Sequence, residues 1–155
     1  MINKSILILG GTSDIGLSIA NIFASKGYDI CLAARKLKQL ETHQADLEAK
    51  YNTKVTLREF DILDTVSHKI FLEDFNELPK NVVCTVGYMG EQIENEKFQN
   101  ERTLVIRTNY EGPVNILSEI GNCYEKKQTG TIIGISSVAG ERGRASNYIY
   151  GSSKS

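Results

Sequence analysis

Short runs of apolar residues alternate along the chain with longer segments in which apolar residues recur at helical spacing. The first run, Ser5–Leu9, has no polar alternation and therefore indicates a strand that is covered on both faces. Four later runs of similar length predict further strands over residues 29–34, 54–60, 81–86 and 131–136. Each predicted strand is separated from the next by a segment long enough for a helix.

The segments between the predicted strands have the periodicity of amphipathic helices. Residues 15–23 carry apolar side chains at helical spacing, and Gly27 predicts the end of that helix. We predict the other helices over residues 37–50, 66–75 and about 94–127, the last with an interruption near Gly112 and Pro113. Residues 1–155 are therefore expected to form one α/β domain, a doubly wound parallel sheet with helices on both faces.

Composition restricts the functions that such a domain can have. The 155 residues carry a formal net charge of −1, with both signs interspersed, and tryptophan is absent. No nucleic-acid-binding surface is therefore indicated. The apolar runs are too short for a membrane span or for the core of a signal peptide, which predicts a cytoplasmic protein.

The cysteines and histidines give no indication of metal chemistry. The three cysteines lie far apart and form no CxxC pair, so we predict neither a metal site nor a disulfide. We interpret Cys31 and Cys84 as small apolar residues inside strands. His43 and His68 lie in polar helical stretches, and we expect both to be solvated.

A glycine-rich turn follows the first predicted strand and opens the first predicted helix. Gly10 permits a tight turn and a close approach of the backbone to phosphate, and Gly16 lets the helix pack against the sheet. The helix start adds free N–H groups and a positive dipole end. No Gly-Lys-Ser/Thr sequence follows, which argues against a nucleotide triphosphatase. We predict a dinucleotide cofactor that contacts Gly10, Thr12, Ser13, Asp14 and Ile15.

The end of the second predicted strand indicates which dinucleotide binds. NAD-binding proteins place Asp or Glu there for the ribose 2′-hydroxyl, whereas this chain has Ala33, Ala34, Arg35 and Lys36. A guanidinium suits a 2′-phosphate through charge-assisted paired hydrogen bonds. We therefore predict NADP(H) in preference to NAD(H), with Arg35 at the 2′-phosphate. The alternative is that Arg35 starts a solvated helix.

A tyrosine and a lysine lie one helical turn apart near the end of the chain. Tyr150 and Lys154 have the spacing that places two side chains on the same face of a helix. The chain contains seven tyrosines, so one such pair can arise by chance and only its surroundings give it meaning. Tyr148 has Ser152 at the corresponding position and forms no such pair.

The sequence around this pair resembles the short-chain dehydrogenase/reductase family, a Rossmann-like family of NAD(P)-dependent oxidoreductases. The resemblance extends along the whole chain. Leu9–Gly16 aligns without a gap on the family's Thr-Gly-xxx-Gly-x-Gly turn, and Asp61-Ile62 matches the pair that brackets the adenine ring. Thr108–Gly112 resembles the Asn-x-x-Gly of the long fourth helix, and Ile135–Gly140 matches the end of the fifth strand. Ser137 lies thirteen residues before Tyr150, a spacing found in many family members.

The resemblance implies a role for each matched polar residue. Tyr150 would protonate the carbonyl oxygen while the nicotinamide delivers hydride, and Lys154 would lower the phenol pKa and hold the nicotinamide ribose. Ser137 would donate a hydrogen bond to the substrate oxygen, and Asn109 would position a water that links Lys154 to solvent. Gly87 would keep room for the cofactor.

The chain departs from the family pattern in and near the glycine turn. Leu9 stands at the usual Thr, and Asp14 stands at the middle Gly. Asp is a good N-cap for the helix that follows, whereas a carboxylate near the pyrophosphate would repel it unless Asp14 points away and caps. Cys84-Thr85-Val86-Gly87 stands where the family has Asn-Asn-Ala-Gly, so the polar roles of both Asn residues are lost or replaced.

The family continues past the lysine with the rest of that helix, two more strands and a substrate-covering loop, whereas this chain stops at Ser155. We therefore expect a C-terminally truncated member with a one-turn Tyr150–Lys154 helix, an uncovered sheet edge, cofactor binding and poor turnover. For the full-length protein, the resemblance implies a small-molecule carbonyl or alcohol substrate and a homodimer or homotetramer. A sugar epimerase on the same scaffold and a non-catalytic dinucleotide-binding protein stay open as alternatives.

Overall fold

Five parallel strands form one sheet in the computed structural model, which describes residues 4–155. The strands are β1 (Ser5–Leu9), β2 (Asp29–Ala34), β3 (Val55–Glu59), β4 (Asn81–Cys84) and β5 (Thr131–Gly134), in the spatial order β3-β2-β1-β4-β5. The strand order changes direction at β1, where Leu9 pairs with Ala33 of β2 and with Cys84 of β4. In an open parallel sheet, a ligand crevice forms at this point, outside the carboxyl ends of the strands.

Helices cover both faces of the sheet, which confirms the predicted doubly wound α/β fold. They are α1 (Asp14–Ser25), α2 (Glu41–Tyr51), α3 (His68–Glu73), α4 (Gln92–Lys97), α5 (Gln99–Ile106), α6 (Gly112–Lys127), α7 (Val138–Glu141) and α8 (Tyr148–Ser152). A 3-10 turn at Leu37–Gln39 precedes α2. Between residues 4 and 155, no helix has both the length and the apolar character needed to cross a membrane.

Alternate side chains of the central strand enter two separate cores. Ile6 and Ile8 pack with residues of α1 and α2, whereas Leu7 and Leu9 pack with residues of α3 and α6. All four side chains are completely buried, and each contributes about 1.5–3 kcal/mol through removal of apolar surface from water. The continuous apolar run in the sequence therefore has a direct cause, since neither face of β1 contacts solvent.

The long helical region is divided differently from the prediction. The expected interruption before Gly112 takes the form of a π-helical turn, Arg107–Glu111, that joins α5 to α6. A second break at Phe98, where the backbone is extended, separates α4 from α5 and was not predicted. The Arg102 guanidinium donates to the carbonyl oxygens of Asn95 and Glu96, and these bonds satisfy the end of α4 in place of a continuing helix.

The expectation that His68 is solvated is wrong. Its side chain is 2% exposed, because α3 docks on the core and its first residue stacks on Phe60, with ring centroids 5.2 Å apart. Nε2 lies 3.3 Å from the carbonyl oxygen of Asp61, and Nδ1 is buried with no hydrogen-bond partner among the described residues. Burial lowers the pKa of His68, although the nearby carboxylates of Asp64 and Asp61 act in the opposite direction.

Replacement of His68 is expected to change how stability depends on pH. The unfolded chain takes up a proton near pH ~6.5, whereas the folded chain disfavours the imidazolium. The contribution of neutral His68 to the free energy of unfolding is therefore complete above pH ~6.5. It is lost as the pH falls toward and through the lower pKa of His68 in the folded chain. Urea unfolding between pH 7 and 5 should show a steeper loss for the wild type than for His68→Gln. The exposed-site variant His43→Gln should keep the wild-type slope, and equal slopes for all three proteins would refute the prediction.

Candidate functional site

A cavity of about 310 Å³ lies at the carboxyl ends of the strands, beside the point where the strand order changes direction. It is bounded by the β1–α1 turn, by the ends of β2 and β4, by the loop after β3 and by the π-helical turn. The side chains and backbone that line it come from residues Gly10, Thr12, Ser13, Ala34, Arg35, Phe60, Ile62, Thr85, Val86, Gly87 and Thr108, among others. Six predicted cofactor-binding residues are thus brought to one cavity: Gly10, Thr12, Ser13, Arg35, Ile62 and Gly87.

The β1–α1 turn is a tight turn that leads into α1. Gly10 has a φ of 91°, a conformation that favours glycine. Ser13, not Asp14, is the N-cap, because Ser13 has the extended backbone of a cap and its Oγ accepts the Gly16 N–H at 3.0 Å. Asp14 and Ile15 are exposed in the first turn of α1, outside the cavity lining.

The β1–α1 turn is tightly closed and tied to the neighbouring strand. A Cβ atom at Gly10 would come within 2.8 Å of Thr85 Oγ1, so the turn closes only around a glycine. The N–H groups of Gly10 and Gly11 both donate to the carbonyl oxygen of Ala33 at 3.0 Å, which ties the turn to β2. Helix α1 starts beside the cavity, and its N-terminal dipole end favours an anion there.

One end of the cavity is formed by the loop after β3. Ile62 is buried and lines the cavity, whereas Asp61 lies outside the lining and its carboxylate accepts the Leu63 N–H at 3.0 Å. The Arg107 guanidinium of the π-helical turn donates to the Leu63 carbonyl oxygen at 3.1 Å. Gly112 permits the close approach of α6, because a Cβ atom there would overlap the Ile62 carbonyl oxygen and lie 2.6 Å from its Cγ1.

Gly112→Ala is expected to destabilise the protein by about 1–3 kcal/mol, since the added methyl group must displace Ile62 or α6. Gly121→Ala is the matched control in the same helix, because its Cβ would make only an ordinary contact, 3.9 Å from Ile132 Cδ1. The control should be neutral or more stable by up to about 1 kcal/mol, as expected for Ala in a helix interior. Urea unfolding measures both values, and equal effects of the two substitutions would contradict the assigned contact.

Two of the predicted catalytic residues meet at Gly87. Lys154 Nζ donates to the carbonyl oxygens of Val86 at 3.2 Å and Ile135 at 3.4 Å. Asn109 Nδ2 donates to the carbonyl oxygens of Tyr88 and Val105, and its Oδ1 accepts the Tyr88 N–H at 3.0 Å. A Cβ atom at Gly87 would lie 3.4 Å from both Lys154 Nζ and Asn109 Oδ1. Lysine and asparagine thus flank the same short segment after β4.

The other two predicted catalytic residues lie on the short helices α7 and α8, which pack together. Ser137 is the N-cap of α7, and its Oγ accepts the Ala139 N–H at 3.2 Å. Tyr150 is half-buried in α8. The predicted Tyr150–Lys154 helix ends earlier, because α8 stops at Ser152 and the Lys154 N–H donates to the Gly151 carbonyl oxygen, three residues back. The last turn therefore tightens, which is a common form of helix end.

Burial changes the acidity of two groups at this end of the site. It lowers the pKa of Lys154, and the neighbouring Cys84 acts in the opposite direction. Burial raises the pKa of the Cys84 thiol and likewise that of Cys31. Both cysteines are buried within their strands, which confirms their interpretation as small apolar residues.

Several groups in the site were not assigned by sequence reasoning. The carbonyl oxygens of Val86 and Ile135 hold Lys154, yet main-chain acceptors are present at every residue and leave no sequence signal. Thr85 lines the cavity and contacts the glycine turn, but it received no role because it replaces a family Asn. Its position directly after a central parallel strand could have identified it as a candidate, because ligands bind at the carboxyl ends of such strands.

Comparison with known proteins gives a family and a set of similar structures. Residues 4–155 match a family model described as short chain dehydrogenase. The "Uncharacterized oxidoreductase in mprA 5′ region" of Streptomyces coelicolor is 35% identical over 157 positions, which cover 97% of this chain and 61% of the relative. The chain therefore spans about three fifths of the length of that relative.

Two solved structures illustrate the similarity of fold. A short-chain dehydrogenase from Sphingobium yanoikuyae in complex with NADPH has a TM-score of 0.83 and 23% identity, over 97% of this chain and 59% of that one. A 3-oxoacyl-[acyl-carrier protein] reductase from Brucella melitensis with bound NAD has a TM-score of 0.86 and 20% identity, over 97% of this chain and 60% of that one. At this level of identity, the two structures show the shared fold alone.

Proposed function

Because this chain belongs to the short-chain dehydrogenase family, we propose that it is an NAD(P)-dependent oxidoreductase which transfers hydride between NADPH and a carbonyl or alcohol substrate. The convergence of Asn109 and Lys154 at Gly87 is the observation that carries this proposal. These two residues belong to different elements, and both flank Gly87 in the segment after β4 that lines the cavity. The NADPH complex of the Sphingobium protein and the NAD complex of the Brucella protein support a dinucleotide in this fold.

The cofactor would be held along the cavity, from the β1–α1 turn to Gly87. Gly10, Thr12 and Ser13 would receive the pyrophosphate, with Asp14 and Ile15 adding the first-turn N–H groups of α1. Asp61 and Ile62 would bracket the adenine. The presence of Arg35 in the cavity lining supports NADPH over NADH, because its guanidinium can pair with a 2′-phosphate. When bound, the nicotinamide would supply or accept the hydride.

The residues of this chain would supply the proton. Tyr150 would protonate the carbonyl oxygen of the substrate in the reductive direction and remove the alcohol proton in the oxidative direction. A phenol has an ordinary pKa near ~10, so it needs a cation close by. Lys154 supplies that cation, and its ammonium group has three donors of which two point at Val86 and Ile135. Ser137 would donate to the substrate oxygen and stabilise the charge that develops there.

Asn109 would connect Lys154 to solvent through a bound water. Both N–H groups of its side-chain amide donate to carbonyl oxygens, so Asn109 can form further hydrogen bonds only as an acceptor. Its main-chain carbonyl oxygen cannot receive an N–H four residues on, because residue 113 is proline. The absence of this donor supports a water at the Asn109 carbonyl oxygen.

The proposal extends to the location and assembly of the full-length protein. It retains the cytoplasmic location that the sequence predicts, and a homodimer or homotetramer as the assembly. Ile106, Tyr110 and Val114 are exposed at spacings of four along α5, the π-helical turn and α6, and such an apolar row supports association.

The proposed function is tested by titration with NADPH and with NADH, followed by a single-turnover assay with enzyme in excess over NADPH and a set of ketones. We expect micromolar binding of NADPH, weaker binding of NADH, and loss of the NADPH absorbance only when a ketone is present. Binding of neither dinucleotide would refute the proposal. Isomerisation of a sugar substrate without net consumption of the cofactor would replace it with the epimerase alternative.

A further inference from the structure

The hydroxyl group of Thr85 lies between two glycines of the β1–α1 turn, Gly10 and Gly16. Its Oγ1 lies 3.1 Å from the carbonyl oxygen of Leu9, 3.0 Å from that of Gly10 and 3.0 Å from Ser13 Oγ. A Cβ atom at Gly10 would lie 2.8 Å from this hydroxyl oxygen, and one at Gly16 would lie 3.1 Å from it. The turn and Thr85 therefore form one closely packed unit.

Two arrangements of protons fit the distances in this unit. The Gly16 N–H donates to Ser13 Oγ at 3.0 Å, and the Ser13 hydroxyl donates either to the carbonyl oxygen of Gly10 at 2.9 Å or to Thr85 Oγ1 at 3.0 Å. The Thr85 hydroxyl donates to the carbonyl oxygen of Leu9 or Gly10. In either arrangement both hydroxyl groups donate within the unit, and bonds that share a hydroxyl strengthen each other by polarisation. The main-chain N–H of Thr85 also donates to the Leu9 carbonyl oxygen at 2.8 Å, which fixes the threonine backbone.

We propose that Thr85 is a positioning residue for the cofactor, and that its hydroxyl holds the β1–α1 turn in the conformation that receives the pyrophosphate. This inference rests on the proposed function, which gives the turn a phosphate to bind. Leu9 is completely buried and its side chain has no donor, so Thr85 provides the side-chain link between the end of β4 and the turn. A turn that is already ordered loses less conformational entropy when the phosphate binds.

The test compares Thr85→Val, which keeps the side-chain shape without the hydroxyl, with Thr85→Ser, which keeps the hydroxyl. Thr53→Val is the matched control, since Thr53 Oγ1 donates to the Tyr28 carbonyl oxygen at 2.6 Å at the opposite end of the sheet. Amide hydrogen exchange of the cofactor-free chain reports on the turn, and calorimetric titration reports the affinity for NADPH. Both measurements use the whole chain.

In Thr85→Val we expect the Ser13 and Gly16 amides to exchange about tenfold faster and NADPH to bind about tenfold more weakly, which corresponds to the loss of one buried hydrogen bond. Thr85→Ser should retain both values within about twofold of the wild type. Thr53→Val should lower the midpoint of unfolding and change neither value.

Three results would overturn the proposal: unchanged exchange and affinity in Thr85→Val, an equal loss in Thr85→Ser, or faster exchange across the whole sheet with unchanged affinity. The last result would show that Thr85 contributes to the stability of the whole sheet and not to the conformation of the turn. If the wild-type chain binds neither NADPH nor NADH, the proposed function fails. In that case the amide exchange rate of Gly16, without the affinity measurement, decides whether Thr85 holds the turn.

Discussion

Tyr150→Phe is expected to lower the single-turnover rate of ketone reduction by a factor on the order of 10² to 10⁴, the usual contribution of a positioned general acid. The affinity for NADPH should stay within about twofold of the wild type, because Tyr150 lies outside the lining of the cavity, and within residues 4–155 its phenol oxygen makes no hydrogen bond that phenylalanine would break. The measurement is the loss of NADPH absorbance with enzyme in excess, together with a calorimetric titration of each variant.

Tyr148→Phe is the matched control for this experiment. Tyr148 lies in the same short helix, is 49% exposed, and has Ser152 four residues on in place of a lysine. Loss of one phenol oxygen there should leave both rate and affinity unchanged. A Tyr150→Phe variant with the wild-type rate would refute the acid role and would favour the non-catalytic dinucleotide-binding alternative.

Arg35→Ala is expected to weaken NADPH binding about ten- to hundredfold and to leave NADH binding within about twofold. Hydrogen bonds to a charged group contribute about 1.5–3 kcal/mol, and each 1.4 kcal/mol corresponds to about a tenfold change in Kd. Arg35 is exposed at the rim of the cavity, so salt screens its charge and the effect should be largest at low ionic strength.

Lys36→Ala provides the comparison for charge alone. Lys36 is the next residue, carries the same charge and is exposed, but it is not part of the cavity lining. Titration of the wild type and both variants with NADPH and NADH separates a specific 2′-phosphate contact from general attraction. Equal losses in the two variants, or an equal loss for both dinucleotides in Arg35→Ala, would contradict the assignment of Arg35.

The arrangement of strands and helices was predictable because it depends on local periodicity. A strand buried on both faces needs apolar residues at every buried position, and β1 shows this pattern over Ile6, Leu7, Ile8 and Leu9. The glycine turn was predictable for a related reason, since Gly10 requires a backbone conformation that other residues rarely adopt. In both cases, the requirement is met by residues adjacent in the chain.

The errors occurred where a docked neighbour decides the environment of a residue. His68 lies among polar residues in the sequence, but the stacking of α3 on Phe60 buries it. Asp14 and Ser13 are both good caps by residue type, and the backbone of the turn selects Ser13. In both cases the residue type leaves more than one environment open, and the packing of neighbouring segments decides between them.

The doubly wound fold, the glycine turn and the order of the candidate site residues along the chain follow from the amino-acid sequence. Which of these residues lie next to each other depends on how distant segments pack. Asn109 and Lys154 flank Gly87 because α5 and α8 pack together and both side chains bond to main-chain groups of the segment after β4. Thr85 reaches the glycine turn for a similar reason, since β1 and β4 are neighbours in the sheet. Contacts between distant segments depend on the geometry of packing, which local periodicity does not encode.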